Sequence, residues 1–178
     1  MLYAQPSKCE WLQTSLQLLG HQNLQAGHQV DTSQVNALQR WPLPTNQGSE
    51  IRTFLGTFGC LRPYIKSCAH IVAPLNAHTS ENVVWSWLAA PEAAVAKLKA
   101  TLLTSPVLVR PDQDRPYRLA KDASDYVIGA IFELEDVVKQ RHPVALFSHS
   151  LNSAECTYET YERELLAVVL ALRTCRHY

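Results

Sequence analysis

The sequence predicts an α+β or α/β protein: a helical part, then a three-stranded antiparallel sheet, then a closing helix. Apolar residues recur at helical spacing in residues 34–105, whereas β-rich stretches dominate residues 106–150. After residue 159 the sequence predicts one helix, which begins with polar residues and continues with apolar ones. With 47% apolar and 18% charged residues, the 178-residue chain has the composition of a globular protein.

Residues 1–33 contain two short strand-like stretches, in which Gly20 and Gly27 are interpreted as breaks. Neither stretch can form a core alone. We interpret this part as the tail of a domain.

Residues 34–80 are predicted to be mainly helical after the extended segment Trp41–Pro44, because residues before proline avoid the α region. Ser49 is the expected N-cap of the first helix after this segment. The buried stripe of that helix is predicted to comprise Ile51, Phe54, Leu55 and Phe58. A second helix is predicted from about Arg62 to Leu75.

Residues 81–105 hold the aromatic pair Trp85 and Trp87 and then a helix that opens at Pro91, a favoured first-turn residue. Its apolar face is predicted to be formed by Val95, Leu98 and Leu102. Residues 105–112 form a proline-bounded linker.

Residues 106–178 contain three predicted strands and a last helix, which together describe half of an α/β domain. The strands are Tyr117–Lys121, Tyr126–Leu134 and His142–Ser150, and the helix is Thr160–Tyr178.

Asp122 lies where the first of these strands ends. A carboxylate in this position can coordinate a hard cation such as Mg²⁺. The alternative is an aspartate that starts a turn.

Glu164 interrupts an apolar helix and has Tyr161, Leu165 and Val168 as helical neighbours, so it is predicted to point with the core stripe. Glu162 and Arg163 are expected to face solvent. The alternative places Glu164 at the edge of the stripe, where the helix dipole favours a carboxylate.

Other site classes find no support in the sequence. The net charge is zero, and the five cysteines show no CxxC spacing, so reduced thiols in an intracellular protein are expected. No apolar run is long enough to span a bilayer. A basic cluster of Arg40, Arg52, Arg62 and Lys66 can rest on phosphates, or it can be a solvated helix face.

Together the segments resemble the reverse transcriptase–ribonuclease H polyprotein of gypsy-type LTR retrotransposons, in the family's order. KCEW…LLGH (Lys8–His21) is similar to the end of the palm with its primer-gripping hairpin, and Val35–Leu75 is similar to the thumb. WSWLAAPEAAVAKLKATLLTSPVLVRPD resembles the connection. RLAKDASDYVIGAIF and ERELLAVVLALRTCRHY resemble the opening half of the ribonuclease H domain.

The resemblance divides the chain into a palm remnant (1–33), thumb (34–80), connection helix (81–105) and N-terminal half of a ribonuclease H-like domain (106–178). It implies that Asp122 and Glu164 are catalytic carboxylates that bind Mg²⁺, or Mn²⁺, once the site is completed. It also implies contacts with an RNA–DNA hybrid or a template–primer duplex. The residues expected to make these contacts are Lys8, Leu19, Gly20, His21, Arg52, Arg62 and Lys66.

The chain also departs from the family's pattern. It has no Asp-Asp dipeptide, the third catalytic aspartate is expected beyond Tyr178, and Lys121 replaces a usual threonine beside Asp122. We therefore expect a polyprotein fragment that is inactive by itself, with the rest of the polyprotein as a further partner. The alternative is a domesticated or decaying module that binds nucleic acid or protein, which leaves open whether the chain is an enzyme.

The resemblance places an intact element in the cytoplasm, the nucleus or a virus-like particle, without a membrane partner. An exposed sheet edge and an apolar helix face are expected to promote association.

Overall fold

The computed structural model describes residues 5, 7, 9–44, 48–79 and 89–177. The strands are β1 (Ser15–Leu18), β2 (His21–Leu24), β3 (Gly27–Val30), β4 (Leu108–Val109), β5 (Tyr117–Ala123), β6 (Val127–Glu135) and β7 (Arg141–Ser150). The helices are α1 (Thr32–Arg40), α2 (Ser49–Gly59), α3 (Cys68–Ala77), α4 (Ala89–Leu103) and α5 (Thr160–Thr174). Trp85 and Trp87, and Lys8 of the predicted nucleic-acid contacts, lie outside the described residues.

The first sheet has the antiparallel order β1-β2-β3-β4. Strands β1 to β3 precede helices α1 to α4 in the sequence and β4 follows them, so this sheet joins the two ends of the helical part. Gly27 begins β3, and the expectation that it is a break is wrong. A Cβ atom on Gly27 would lie 2.1 Å from the backbone oxygen of Leu108, so the close pairing of β3 with β4 requires glycine.

The helices α1 to α4 enclose the main hydrophobic core. Asp31 caps α1, with its carboxylate accepting hydrogen bonds from the amide and the hydroxyl of Ser33 at 3.1 and 2.8 Å. The predicted stripes of α2 and α4 are confirmed, with Leu55 partly buried. The buried members are Ile51, Phe54, Phe58, Val95, Leu98 and Leu102.

Two helix boundaries in this part differ from the prediction. The N-cap of α2 is Gly48, and Ser49 is the first helical residue. The helix predicted from Arg62 is interrupted: a 3-10 turn covers Arg62–Tyr64, and Ser67 adopts a left-handed conformation (φ 53°) directly before α3. That backbone conformation breaks the helical hydrogen-bond ladder.

The second sheet has the antiparallel order β5-β6-β7, and α5 packs on β5 and β6. This arrangement confirms the predicted three-stranded sheet with its helix. The opposite face of the sheet meets the helical part: α3 contacts β7, and Leu146 packs against the main core. A hydrogen bond of 3.1 Å from the amide of Ala69 to Oγ of Ser148 joins α3 to β7.

The buried stripe of α5 is different from the predicted one. Ala167 and Ala171 are buried, whereas Tyr161 and Leu165 are 70% and 63% exposed. Small residues face the sheet because they allow the helix to approach closely. The side chain of Glu164 is 52% exposed, so the prediction that it points with the core is wrong. Its placement at the edge of the stripe stays a prediction.

No helix in the described part of the chain is both long and apolar enough to cross a membrane.

Candidate nucleic-acid interface and carboxylate site

The hairpin of β1 and β2 carries three predicted nucleic-acid contacts at its tip. Leu18 pairs with His21, so Leu19 and Gly20 form a two-residue turn, with φ angles of 52° and 82°. Positive φ at both positions is the geometry that fits the twist of a tight hairpin. Leu19 is 86% exposed in this uncommon conformation, which leaves an apolar side chain at the tip.

Hydrogen bonds and ring contacts fasten the hairpin to the helical part. The amide of Asp31 donates to the carbonyl of Gly20 at 3.2 Å. Nδ1 of His21 lies 3.2 Å from the hydroxyl of Tyr64, and the ring of His28 meets the same tyrosine edge-on. Burial, with a smaller contribution from His21, lowers the pKa of His28. The hairpin is therefore held in a fixed position relative to the 3-10 turn.

The basic residues of the helical part are exposed, as the predicted contact with a nucleic-acid backbone requires. Arg52 and Lys66 both present their side chains to solvent, and Nε of Arg52 donates to the carbonyl of Gly48 at 3.0 Å. Arg62 is also exposed and hydrogen-bonds with Cys68, whose pKa is raised by burial despite this cation. Arg62 therefore has a structural contact besides its predicted one.

Asp122 lines a cavity of about 150 Å³ between the second sheet and the helical part. Lys66 and Ser67 line the same cavity from the helical side, and Lys121 lines it from the sheet. Asp122 pairs across the strands with Gly129, whose missing side chain leaves this space open; a Cβ there would meet Oγ of Ser67 at 3.9 Å. The structure thus joins Asp122 to the basic surface.

Glu164 is bonded to Lys121. Nζ of Lys121 donates to Oε2 of Glu164 at 2.6 Å, and the two side chains are 35% and 52% exposed. Charge-assisted bonds of this length are the strong ones, although solvent weakens their contribution to stability.

The strand geometry separates the two predicted carboxylates. Successive strand residues point to opposite faces, so Lys121 and Asp122 leave β5 on different sides. Glu164 approaches from the α5 side with Lys121, whereas Asp122 faces Ser67 and Lys66. Asp122 and Glu164 thus lie on opposite faces of the sheet in this arrangement. Their joint binding of a cation stays a prediction.

A divalent cation does not fit these side chains as they are arranged. Glu164 already has an ammonium partner, and Asp122 shares its cavity with Lys66, whose charge repels a metal ion. Within the described ranges, no group of three or more His, Cys, Asp or Glu side chains is placed to hold a metal ion.

Arg163 has a partner that the sequence pattern does not indicate. Its side chain is only 13% exposed and donates to Asp125 at 2.7 Å and to the carbonyl of Ser124 at 3.4 Å. The expectation that Arg163 faces solvent is wrong, and Asp125 is more than a solvated loop charge. This pair ties the β5–β6 turn to α5; the spacing of 38 residues gave no local signal.

The N-terminus of α5 carries a reciprocal cap. Glu159 is the N-cap, and its backbone amide donates to Oε2 of Glu162 at 2.9 Å. The side chain of Glu159 in turn accepts a hydrogen bond from the backbone amide of Glu162, which completes a capping box. This cap fixes the residue at which α5 begins, and hence the position of Glu164 along the helix where it is bonded to Lys121.

Residues 87–178, just over half of the chain, match the family model described as the RNase H-like domain found in reverse transcriptase. The chain belongs to this family. It is also 28% identical to the Transposon Tf2-3 and Tf2-4 polyproteins of Schizosaccharomyces pombe over 172 residues, which is 97% of this chain. The chain spans 13% of the length of these relatives.

Two solved structures have a similar fold. One is the foamy viral protease-reverse transcriptase in complex with double-stranded DNA, and the other is the same type of protein with an RNA/DNA hybrid. Both give a TM-score of 0.77 at 20% identity; they cover 93% and 94% of this chain and 34% and 23% of the solved chains. The relation to retrotransposon pol polyproteins and the mixed fold are confirmed.

Proposed function

We propose that this chain is the region of a retrotransposon reverse transcriptase that links the thumb to the ribonuclease H-like sheet, and that it holds a nucleic-acid duplex without cutting it. In this proposal residues 1–33 are the palm remnant, 34–80 the thumb, 81–105 the connection and 106–178 the first half of the ribonuclease H-like domain. The duplex is a template–primer or an RNA–DNA hybrid.

The observation that carries the proposal is the cavity shared by Lys66 and Asp122. A duplex backbone that rests on Arg52 and Lys66 would continue along the sheet face of Asp122. Phosphate contacts of this type position a duplex without reading its sequence.

The hairpin tip supports the same orientation. Leu19 projects from the first sheet, and His21 is bonded to Tyr64, two residues before Lys66. The solved foamy viral relatives of this fold hold double-stranded DNA or an RNA/DNA hybrid. We therefore propose that Leu19, Gly20 and His21 contact the primer strand.

Catalysis by the described residues is not part of this proposal, because the lysine bonded to Glu164 and the lysine in the cavity of Asp122 do not fit a metal. Binding of Mg²⁺ or Mn²⁺ by these carboxylates requires further ligands and stays a prediction. So does a role for the remaining polyprotein as a partner.

The test measures binding of a fluorescein-labelled RNA–DNA hybrid by anisotropy at several salt concentrations. Reversing Arg52 and Lys66 to glutamate is expected to weaken binding at least tenfold and to flatten the salt dependence, because fewer counterions are released. Arg62 is left unchanged because it contacts Cys68.

The matched control reverses Lys139 and Arg141, two exposed cations at the β6–β7 turn, which changes the net charge by the same amount. It is expected to bind nearly as well as the unchanged chain. Equal losses in both double variants, or no loss at Arg52 and Lys66, would contradict the proposed surface.

A further inference from the structure

Lys121 is bonded to one of the predicted carboxylates, Glu164, and directly precedes the other, Asp122, in the sequence. Its ammonium group lies 2.6 Å from Oε2 of Glu164, and the residue also borders the cavity that contains Asp122. Among the described residues that line this cavity, Lys66 is the other cation. Lys121 is thus a tethered positive charge at Glu164, and its side chain lies on the face of β5 opposite to that of Asp122.

A tethered ammonium and a free divalent cation compete for the same carboxylate oxygens. A cation that binds Glu164 has to displace an amino group already at hydrogen-bond distance, and it then remains beside that like charge. Because Lys121 belongs to the same chain, the effective concentration of its amino group at Glu164 is also high. Both effects lower the affinity for a metal ion.

We propose that Lys121 occupies the cation position at Glu164 and thereby keeps this carboxylate from binding divalent metal ions. This inference rests on the proposed function only for the assignment of Glu164. It names one lysine on β5 as the residue that opposes metal binding at this carboxylate.

Threonine is the informative replacement for Lys121. It is uncharged and β-branched, so it suits a strand, and it is too short to reach Glu164. Lys121 is partly exposed and the fold does not bury its charge, so the variant is expected to fold. Lys121→Met serves as a second uncharged variant with a length similar to lysine.

The experiment titrates the chain with Mn²⁺, an ion that carboxylates accept, and follows binding by water-proton relaxation. Lys121→Thr and Lys121→Met are expected to bind Mn²⁺ at least tenfold more tightly than the unchanged chain. Lys121→Arg keeps the charge and is expected to behave like the unchanged chain. The gain should disappear in Lys121→Thr combined with Glu164→Gln.

Three results overturn the inference: an unchanged chain that binds as tightly as Lys121→Thr, no gain in both uncharged variants, or a gain that persists when Glu164→Gln is added to Lys121→Thr. Circular dichroism of each variant confirms folding. Binding of the RNA–DNA hybrid through Arg52 and Lys66 is measured separately, without metal. A failure here therefore leaves the proposed duplex-binding function standing, and the reverse also holds.

Discussion

Single carboxylates in this chain act through the partners that the fold brings to them. Asp136 is the clearest case besides Glu164. Its Oδ1 accepts the amides of Val138 and Gln140 at 2.9 and 2.7 Å, and its Oδ2 lies 3.0 Å from His142. The hydrogen bond with His142 is the largest of the effects that lower the pKa of Asp136. This carboxylate closes the β6–β7 turn.

We expect the contribution of Asp136 to stability to depend on pH. A carboxyl whose pKa is lower in the folded chain stabilises the fold at pH values above its unfolded pKa, and this contribution is lost as pH falls through the folded pKa. Asp136→Asn is therefore expected to lower the urea midpoint at pH 7, with a difference that shrinks towards acid.

The urea midpoints of the two chains are compared from pH 7 down to the acid limit of folding. Asp114→Asn, at an exposed aspartate between β4 and β5, is the control and is expected to show a smaller effect. A difference between Asp136→Asn and the unchanged chain that stays constant down to strong acid would contradict this role.

The residue types of the candidate site were predictable from the sequence, but their contacts were not. Asp122 and Glu164 stand out because charge is unusual in apolar segments. The bond from Lys121 to Glu164 joins residues 43 positions apart, and it depends on how α5 rotates over β5. The apolar pattern of α5 misled the prediction because its larger apolar residues are exposed and its alanines are buried.

At the scale of elements, the pairing of β3 with β4 fixes the order of the chain in space. β4 is only two residues long and follows the helical part, yet it completes the first sheet. Gly27 allows this approach, since its neighbour across the strands is the backbone of Leu108. The same glycine was interpreted as a break because a sequence pattern does not reveal a later strand.

Gly27→Ala is expected to destabilise the chain by roughly 1–3 kcal/mol, because a Cβ would collide with backbone that cannot move aside easily. Gly56→Ala is the matched control: it lies in α2 with nothing within 4 Å of its Cβ position. That control is expected to stabilise the chain by about 0.5–1 kcal/mol, since alanine favours a helix.

Chemical denaturation with both alanine variants provides the measurement. If Gly27→Ala were as stable as the unchanged chain, the close approach of β3 and β4 would be refuted. The sign difference between two identical substitutions makes this comparison independent of general effects of alanine.

The helix α5 presents an apolar face to solvent. Tyr161, Leu165, Val169 and Leu172 are between 44% and 70% exposed. This exposure agrees with the apolar face expected from the sequence, while the association of copies through it stays a prediction. Small residues on the sheet side and large ones outside explain why the face is present.

At the scale of the whole molecule, the two sheets and helices α1 to α4 pack against each other. The 3-10 turn and α3 both contact β7, and Lys66 lines a second cavity of about 300 Å³ together with Leu146 and Thr101. The surface of Lys66 and the face of Asp122 are therefore held in one arrangement. A duplex could contact both without a rearrangement of the chain.

The fold class and the order of its elements followed from periodicity, because the helices of the core and the strands of the second sheet carry clear apolar patterns. Long-range arrangement did not follow. The interruption at Ser67 and the joining of β3 with β4 depend on backbone geometry and tertiary packing, which local patterns do not contain.

The central claim is that this chain holds a hybrid duplex and does not cut it. The most direct measurement incubates the chain with a labelled RNA–DNA hybrid in Mg²⁺ or Mn²⁺ and follows both binding and cleavage, with Asp122→Asn as the comparison. We expect binding by both chains and no cleavage by either above background. Metal-dependent cleavage by the unchanged chain that is lost in Asp122→Asn would contradict the claim.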